Sequence, residues 1–451
     1  MESRAIVACS RVDIIALTPR PIDFQTLFPN RALPQRPRLR TQLIDTPSGV
    51  HAQEWDALLA RQAMPTPFMR HAYLSAMHES DSAVPRTGWA LRFMLLWDGD
   101  ELAAACPLYA KSHSYGEYVF DWAWANAYAE HGLQYYPKAL VAVPFTPVPG
   151  SRLLARDASS REALVRALIA WCTEQELSSL HVLFGDEADR AACDAVGLLE
   201  RHQVQFHWKN TVPGLAQAPD IVSSTDRPFR DFDDFLAQLT QEKRKKIRQE
   251  RRKVRDAGVS FRWAQGADIS AEDWAFFYRC YERTYLEHGN PPYLTPEFFA
   301  AMAGTMAENW VLFVAERDGQ PMAVSLIGVN RGTAREGAES RHPSVAYGRY
   351  WGALERVDSL HFEACYYQPI EWCIAHGFDS FEGGAQGEHK MARALMPVQT
   401  HSAHWLAHPA FSDAVERFLE REGAGVENYL EHLQERSPFR RTGPTPDGPA
   451  V

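Results

Sequence analysis

Two Asp-Gly turns, each joining apolar runs of strand length, constrain this chain more than any other feature. Asp98-Gly99 lies within WALRFMLLWDGDELAAACPLYA and Asp318-Gly319 within WVLFVAERDGQPMAVSLIGVN. The Asp-Gly pair tolerates the left-handed backbone that a tight hairpin needs, so each run predicts two antiparallel strands. The surroundings of the two hairpins match. Before the first, EWDALLARQ and PTPFMRHAYLSAMHES have helical spacing, the second entered through prolines. After it come an amphipathic helix, EALVRALIAWCTEQEL, and a buried strand, SSLHVLFG. LLERHQVQFHWKN follows as a strand pair or one extended strand. Before the second hairpin, AEDWAFFYRCYERTYLEHG and TPEFFAAMAGTMAEN read as helices. After it, VAYGRYWG reads as a strand, CYYQPIEWCIAHG as a helix and FDSFEGG as a strand. The recurring order predicts an internal structural repeat of mixed α/β character.

A chain of 451 residues is too long for one core. The Pro/Ser/Gly-rich stretch TVPGLAQAPDIVSSTDRPF marks the junction. We expect an N-terminal domain over 46–215 and a C-terminal one over 216–436. Residues 1–45, rich in Pro and Arg, are expected to be an extension without regular structure, and 437–451 a Pro/Gly-rich tail. DFDDFLAQLTQEKRKKIRQERRKVRDAG, spanning the junction at 231–256, is expected to be one helix, and HPAFSDAVERFLEREGAGVENYLEHLQER two closing helices.

The formal charge of −10 and pI near 5.9 give no global attraction for nucleic acid. Any basic site must be local. Residues 243–255 supply one: Lys243, Arg244, Lys245, Lys246, Arg248, Arg251, Arg252, Lys253 and Arg255 crowd a single helix. Its partner is expected to be tRNA, a lipid-linked phosphate or an anionic membrane surface; the plain alternative is a solvated helix paired with acidic neighbours. The seven cysteines show no CxxC spacing and read as buried, reduced thiols. No apolar run reaches the roughly 18–20 residues a membrane helix needs. Arg11 and Asp13 interrupt the only apolar start that resembles a signal peptide. The expected location is cytoplasmic, with peripheral contact at the inner membrane face left open.

Three segments carry a family resemblance: PFMRHAYLSAMHES, DFDDFLAQLTQEKRKKIRQERRKV, and AYGRYWGALERVDSLHFEACYYQPIEWCIAHGFDSFEGGAQGEHKMARALMPVQTHSAHW. Together they resemble the bacterial FemAB-like peptidoglycan biosynthesis/recognition proteins, from about residue 50 to 440. The resemblance implies two tandem GNAT-like (acyl-CoA N-acyltransferase) domains and a relation to enzymes that add amino acids to peptidoglycan precursors. It implies an acyl donor, acyl-CoA or aminoacyl-tRNA, and a small-molecule or lipid-linked amine acceptor. RGTAREGAESRHPSV departs from the pattern as a longer, more charged turn.

GNAT chemistry needs backbone N–H groups that polarise an acyl carbonyl where strands part, a phosphate-holding turn and a proton acceptor for the amine. The coenzyme A loop (Q/R)xxGx(G/A) is only approached. Arg349 and Gly352 fit in Arg349-Tyr350-Trp351-Gly352-Ala353-Leu354, but Leu354 fails the last position. The alternative reading ends the strand at Gly352, and acetyl-CoA has no motif of its own. The segment Phe381-Glu382-Gly383-Gly384-Ala385-Gln386-Gly387-Glu388-His389-Lys390 is the richest in chemistry. Its glycines permit close approach of a ligand to the backbone. Glu382, Glu388 and His389 are the candidate proton acceptors. Arg349, Gly352, Gly383, Gly384 and Gly387 are the candidate donor contacts. Tyr350, His361, Glu363, Tyr367, Gln386 and Lys390 are the candidate substrate contacts. The alternative is a tight turn whose charges pair with one another, with Tyr366 and Tyr367 in the core. His401 and His404 stand three apart, but no third ligand at diagnostic spacing accompanies them, so no metal is expected. No GxSxG, HExxH or Walker A motif occurs. The expected function is N-acyl transfer to an amine. Two alternatives are a non-catalytic module recognising a peptidoglycan precursor or another anionic ligand, and a nucleic-acid-binding protein using residues 243–255.

Overall fold

The computed structural model describes residues 39–212, 227–333, 341–384 and 387–440. In the first half, β1 (Arg40–Ile44), α1 (Ala52–Ala60) and α2 (His71–Glu79) precede β2 (Trp89–Leu91), β3 (Phe93–Asp98), β4 (Glu101–Cys106) and β5 (Leu108–Lys111). Then come α3 (Trp122–Glu130), β6 (Lys138–Val141), β7 (Leu154–Ala155), α4 (Ala158–Glu174), β8 (Ser179–Gly185), α5 (Glu187–Val196) and β9 (Leu199–Lys209). The second half opens with α6 (Phe232–Gln238), α7 (Gln241–Asp256), β10 (Val259–Gln265), α8 (Ala271–Glu287) and α9 (Pro296–Thr305). It continues with β11 (Trp310–Arg317), β12 (Gln320–Asn330), β13 (Val345–Ala353), α10 (Leu360–Phe362), α11 (Gln368–Ala375), β14 (Ser380–Glu382), β15 (Met396–Leu406) and α12 (Pro409–Glu435).

The fold is mixed α/β. Both hairpins form, β3 with β4 and β11 with β12, and Gly99 and Gly319 take the positive φ their turns require. In each half two strands lie parallel across an intervening helix: β6 beside β8 over α4, with β7 of the smaller sheet between them in the chain, and β13 beside β14 over α11. This is the expected repeat. The two copies are interlaced rather than strung side by side. β9 pairs with β14, and β15 lies between β9 and β8. One sheet of order β10-β11-β12-β13-β14-β9-β15-β8-β6-β5-β2 therefore crosses both halves, and β1-β3-β4-β7 form a smaller one. The expected boundary at 215/216 lies outside the described residues.

Alternation along β11 sends Leu312 and Val314 to one core and Val311 and Phe313 to another, so the sheet is covered on both faces. The first core gathers α1, α2, α8 and α9; the second gathers α6 and α11.

Local expectations fail where tertiary contacts intervene. Arg40–Ile44, expected to lack structure, pairs with Phe93–Trp97 of β3. LLERHQVQFHWKN is one strand. The junction helix is broken at Leu239, which turns extended, bridges Phe439 and accepts from Arg440 Nε, while Thr240 N–H donates to the Pro438 carbonyl. Residues 437–440 are thus held, not part of a free tail. The two closing helices are one, α12.

Candidate functional site

β13 and β14 pair in parallel only over Val345–Tyr347 and Ser380–Glu382. β14 then stops and β13 runs on to Ala353, so the strands part. On its other edge β13 carries a bulge: Leu326 faces Tyr350 and Ile327 faces Gly348, leaving Arg349 as the extra residue. Beyond the last paired residues, the β13 backbone has no parallel partner among the described residues and faces a cavity of about 360 Å³.

That cavity joins both faces of the sheet. Tyr350, Phe145 and Tyr285 line it from the core of α8 and α9, and Tyr366 from the core of α6 and α11. Gly383, Gly384, His389 and Lys390 close the end where β14 stops. Gly384 has φ +79, and a Cβ there would meet the Gly348 carbonyl at 3.4 Å. Tyr118 and Phe145, non-glycine residues at φ 63 and 55, also line the wall, so part of it is built on strained backbone.

The segment bearing His389 and Lys390 is a 3₁₀ turn, Glu388–Arg393, anchored from behind. Arg393 Nη2 donates to both Glu250 oxygens at 2.9 and 3.0 Å, Arg393 Nη1 donates to the His389 carbonyl at 2.9 Å, and the Tyr367 hydroxyl donates to Glu250. Gly387, at φ +116, leaves room for the His389 ring, whose Cε1 lies 2.6 Å from where a Cβ would stand. His389 Nε2 is 3.2 Å from the Tyr366 hydroxyl. Tyr366 sits in a π-helical turn, Glu363–Tyr367, between α10 and α11. Lys390 Nζ donates to the Gly384 carbonyl at 2.8 Å.

Burial sets the protonation states. It lowers His389, with Lys390 and Arg393 adding to the effect, so the imidazole is neutral near pH 7. Burial brings Lys390 down to about 8 and His361 to about 4. Burial pushes the Cys365 thiol up to about 12, which removes it as a nucleophile.

Seven of the residues singled out in the sequence meet at this cavity: Arg349, Tyr350, His361, Gly383, Gly384, His389 and Lys390. Arg349 is largely engaged already. Its Nη2 donates to the Phe145 carbonyl at 3.0 Å, Thr146 Oγ1 at 3.1 Å and the Tyr350 hydroxyl at 3.2 Å, tying the first half to β13. Its Nε–H is buried without a hydrogen-bond partner.

The others lie elsewhere. A Cβ on Gly352 would stand 2.2 Å from the Cys280 carbonyl, so close packing of α8, not a phosphate, requires that glycine. Glu388 is paired with Arg436 on a neighbouring cavity of about 520 Å³. Glu363 is held by Arg251 and Gln368, and Tyr367 by Glu250. Glu382 is buried beside the cavity without lining it; burial raises its carboxyl to about 8, and its Oε2 has no hydrogen-bond partner. Gln386 lies outside the described residues.

Sequence reading missed Tyr118, Phe145, Pro147 and Tyr285. The first three come from the first half and reach the cavity only because the copies interlace; no local motif marks them. Much of the basic helix is engaged too: Arg251 with Glu363 and Glu371, Lys253 with Asp358, and Arg248 with Asp233 at 3.4 Å. Lys245, Lys246, Arg252 and Arg255 remain on its exposed face. No helix among the described residues is long and apolar enough to cross a membrane.

No curated protein matches this chain. Among solved structures it is similar to FemX, at 10% identity and TM-score 0.48, with 83% of this chain and 100% of that one covered. It is also similar to L-PGS from Bacillus licheniformis, at 11%, 0.45, 82% and 97%. A tandem GNAT protein from the clavulanic acid biosynthesis pathway matches at 12%, 0.40, 82% and 99%. Residues 47–441, almost all of the folded chain, match the FemAB-like family described as peptidoglycan biosynthesis/recognition, and the chain belongs to that family.

Proposed function

We propose that this chain is an N-acyltransferase that moves an acyl or aminoacyl group onto an amine, with GNAT-like use of the gap between β13 and β14. One observation carries the reading: two parallel strands part after three paired residues, and the gap opens into a cavity lined by Gly383, Gly384, His389 and Lys390. A carbonyl lying along the unpaired edge of β13 would accept from backbone N–H groups already held in place. The ammonium of Lys390 adds positive charge beside the developing oxyanion.

The amine nitrogen attacks the carbonyl carbon and a C–N bond forms. Its proton passes to the neutral imidazole of His389, which Tyr366 orients. The bond from the carbonyl carbon to the donor's sulfur or oxygen breaks, and the leaving group takes a proton.

The donor reading that fits best is a polyanionic one. The neighbouring cavity shares His389 with the reaction cavity and is walled by Lys243, at the start of the basic helix, and by Arg436, which is paired there with Glu388. A phosphate-bearing donor, aminoacyl-tRNA or acyl-CoA, would lie there, and a peptidoglycan precursor amine is the acceptor that the family suggests.

The test is incubation with a peptidoglycan precursor and either aminoacyl-tRNA or acetyl-CoA, read by mass spectrometry. An added aminoacyl or acetyl mass supports transfer and names the donor. Saturable precursor binding without a covalent product would favour the non-catalytic recognition module instead.

A further inference from the structure

His401 and His404 are not partners. Their spacing places them in different surroundings: His404 Nδ1 meets His181 Nδ1 in a buried polar cluster beside β8, while His401 is half-buried and faces β9. Its neighbours there, His202 and Glu200, supply two further ligands at a separation in sequence that no spacing motif reveals. β9 and β15 pair antiparallel with His202 directly opposite His401, and Glu200 two residues earlier on β9. The two Nδ1 atoms are 3.1 Å apart. A Glu200 oxygen is 3.0 Å from His401 Nδ1, and the other is 3.8 Å from His202 Nε2.

We infer that Glu200, His202 and His401 form a binding site for a divalent transition-metal ion, with Zn²⁺ as its simplest occupant. One ligand atom from each residue can be chosen so that all lie within 4.8 Å of one another. Ligands about 2.0–2.2 Å from a tetrahedral zinc stand roughly 3.3 Å apart, and His401 Nδ1 has that relation to both partners, 3.0 Å from a Glu200 oxygen and 3.1 Å from His202 Nδ1. Two imidazoles and a carboxylate form the nitrogen/oxygen set that suits zinc and its neighbours rather than calcium or magnesium.

The surroundings fit a three-ligand site with an open position. His401 and Glu200 line a cavity of about 230 Å³ under α5, which leaves space for water as a fourth ligand. Arg190 reaches Glu200 at 3.4 Å, but its shorter bonds, 2.6 and 2.9 Å, go to Glu187. Glu200 is therefore oriented without being consumed. Gly423 of α12 backs the His202 ring, with a Cβ there 4.0 Å from its Cδ2.

The position gives the ion a purpose. His202–His401 is one pair from the middle of the β9–β15 ladder, which runs from Met396–His207 to His404–Leu199. That ladder is where the first half's last strand and the second half's last strand lie together. A metal bound there would cross-link the two interlaced copies in the folded state only, and so stabilise the fold by mass action.

The test uses the full chain, stripped with chelator and titrated with Zn²⁺ by calorimetry, with Co²⁺ as a spectroscopic probe. The expected result is one Zn²⁺ per chain, a rise in Tm on binding, and ligand-field bands of low coordination number with Co²⁺. Affinity should fall roughly tenfold or more in His202→Ala and His401→Ala. It should fall likewise in Glu200→Gln, and stay unchanged in His432→Ala, an exposed control on α12. Absence of saturable 1:1 binding by the wild-type chain overturns the site, whatever the variants do. So does wild-type affinity in all three ligand variants, or an equal loss in the control.

Discussion

The Nε2 atom of His389 lies 3.2 Å from the Tyr366 hydroxyl, across the end of the gap where β14 stops. This pairing brings a neutral imidazole to the cavity in a fixed orientation. His389→Ala should lower kcat by on the order of a hundredfold or more, the usual worth of a positioned proton acceptor. Tyr366→Phe should cost less and act mainly on kcat, because it loosens the ring without removing it. Steady-state kinetics of both variants, with circular dichroism to verify folding, checks this. An unchanged kcat in His389→Ala would remove it as the acceptor.

Lys390 and His389 together predict a bell-shaped pH profile. His389 must be neutral, so activity falls as pH drops through its value, which lies below the ordinary 6.5. Lys390 must be charged, so activity falls as pH rises through about 8. Lys390→Arg should shift the alkaline limb upward, since a guanidinium stays protonated. A limb unmoved in that variant would assign it to another group.

Glu382 predicts a stability effect with a definite sign. Its folded value, about 8, is above the usual 4.5, so the native state holds its proton longer than the unfolded chain does. Its contribution is fully present below pH 4.5 and declines as pH rises to about 8, by roughly 1.4 kcal/mol per pH unit at most. Glu382→Gln, which cannot ionise, should raise Tm at pH 8 and change it little at pH 4.5. Thermal melts at the two pH values decide it. An equal change at both would show that ionisation is not what Glu382 costs.

Gly352 and Gly384, two of the four glycines expected to contact the donor, should part company. Gly352→Ala drives a Cβ into the Cys280 carbonyl at 2.2 Å, so it should destabilise by about 1–3 kcal/mol or more with no donor present. Gly384→Ala meets only the Gly348 carbonyl at 3.4 Å, and its strain comes from φ +79. It should cost about 1 kcal/mol in stability while lowering activity further by intruding on the cavity. Chemical denaturation of both proteins separates packing from function.

What the sequence disclosed, and what it withheld, divides along physical lines. The Asp-Gly hairpins and helical faces follow from local chemistry, and both formed. The glycine-rich strand end was legible because clustered glycine and charge mark a turn, and His389 and Lys390 do line a cavity. Glu363 and Tyr367 do not line the cavity, because their partners, Arg251 and Glu250, arrive from a helix more than a hundred residues away. Tyr118 and Phe145 were invisible for the same reason: nothing in a linear reading says that β9 and β15 exchange between copies. The break at Leu239 likewise depends on Phe439, two hundred residues on.

The most direct measurement is a crystal structure with a hydrolysis-resistant aminoacyl-tRNA 3′-end analogue or an acyl-CoA thioether. Density for the acyl group is expected between the free edge of β13 and Gly383–Gly384, within reach of His389, with phosphates toward Lys243. An analogue bound elsewhere, with the gap between β13 and β14 left unfilled, would contradict it.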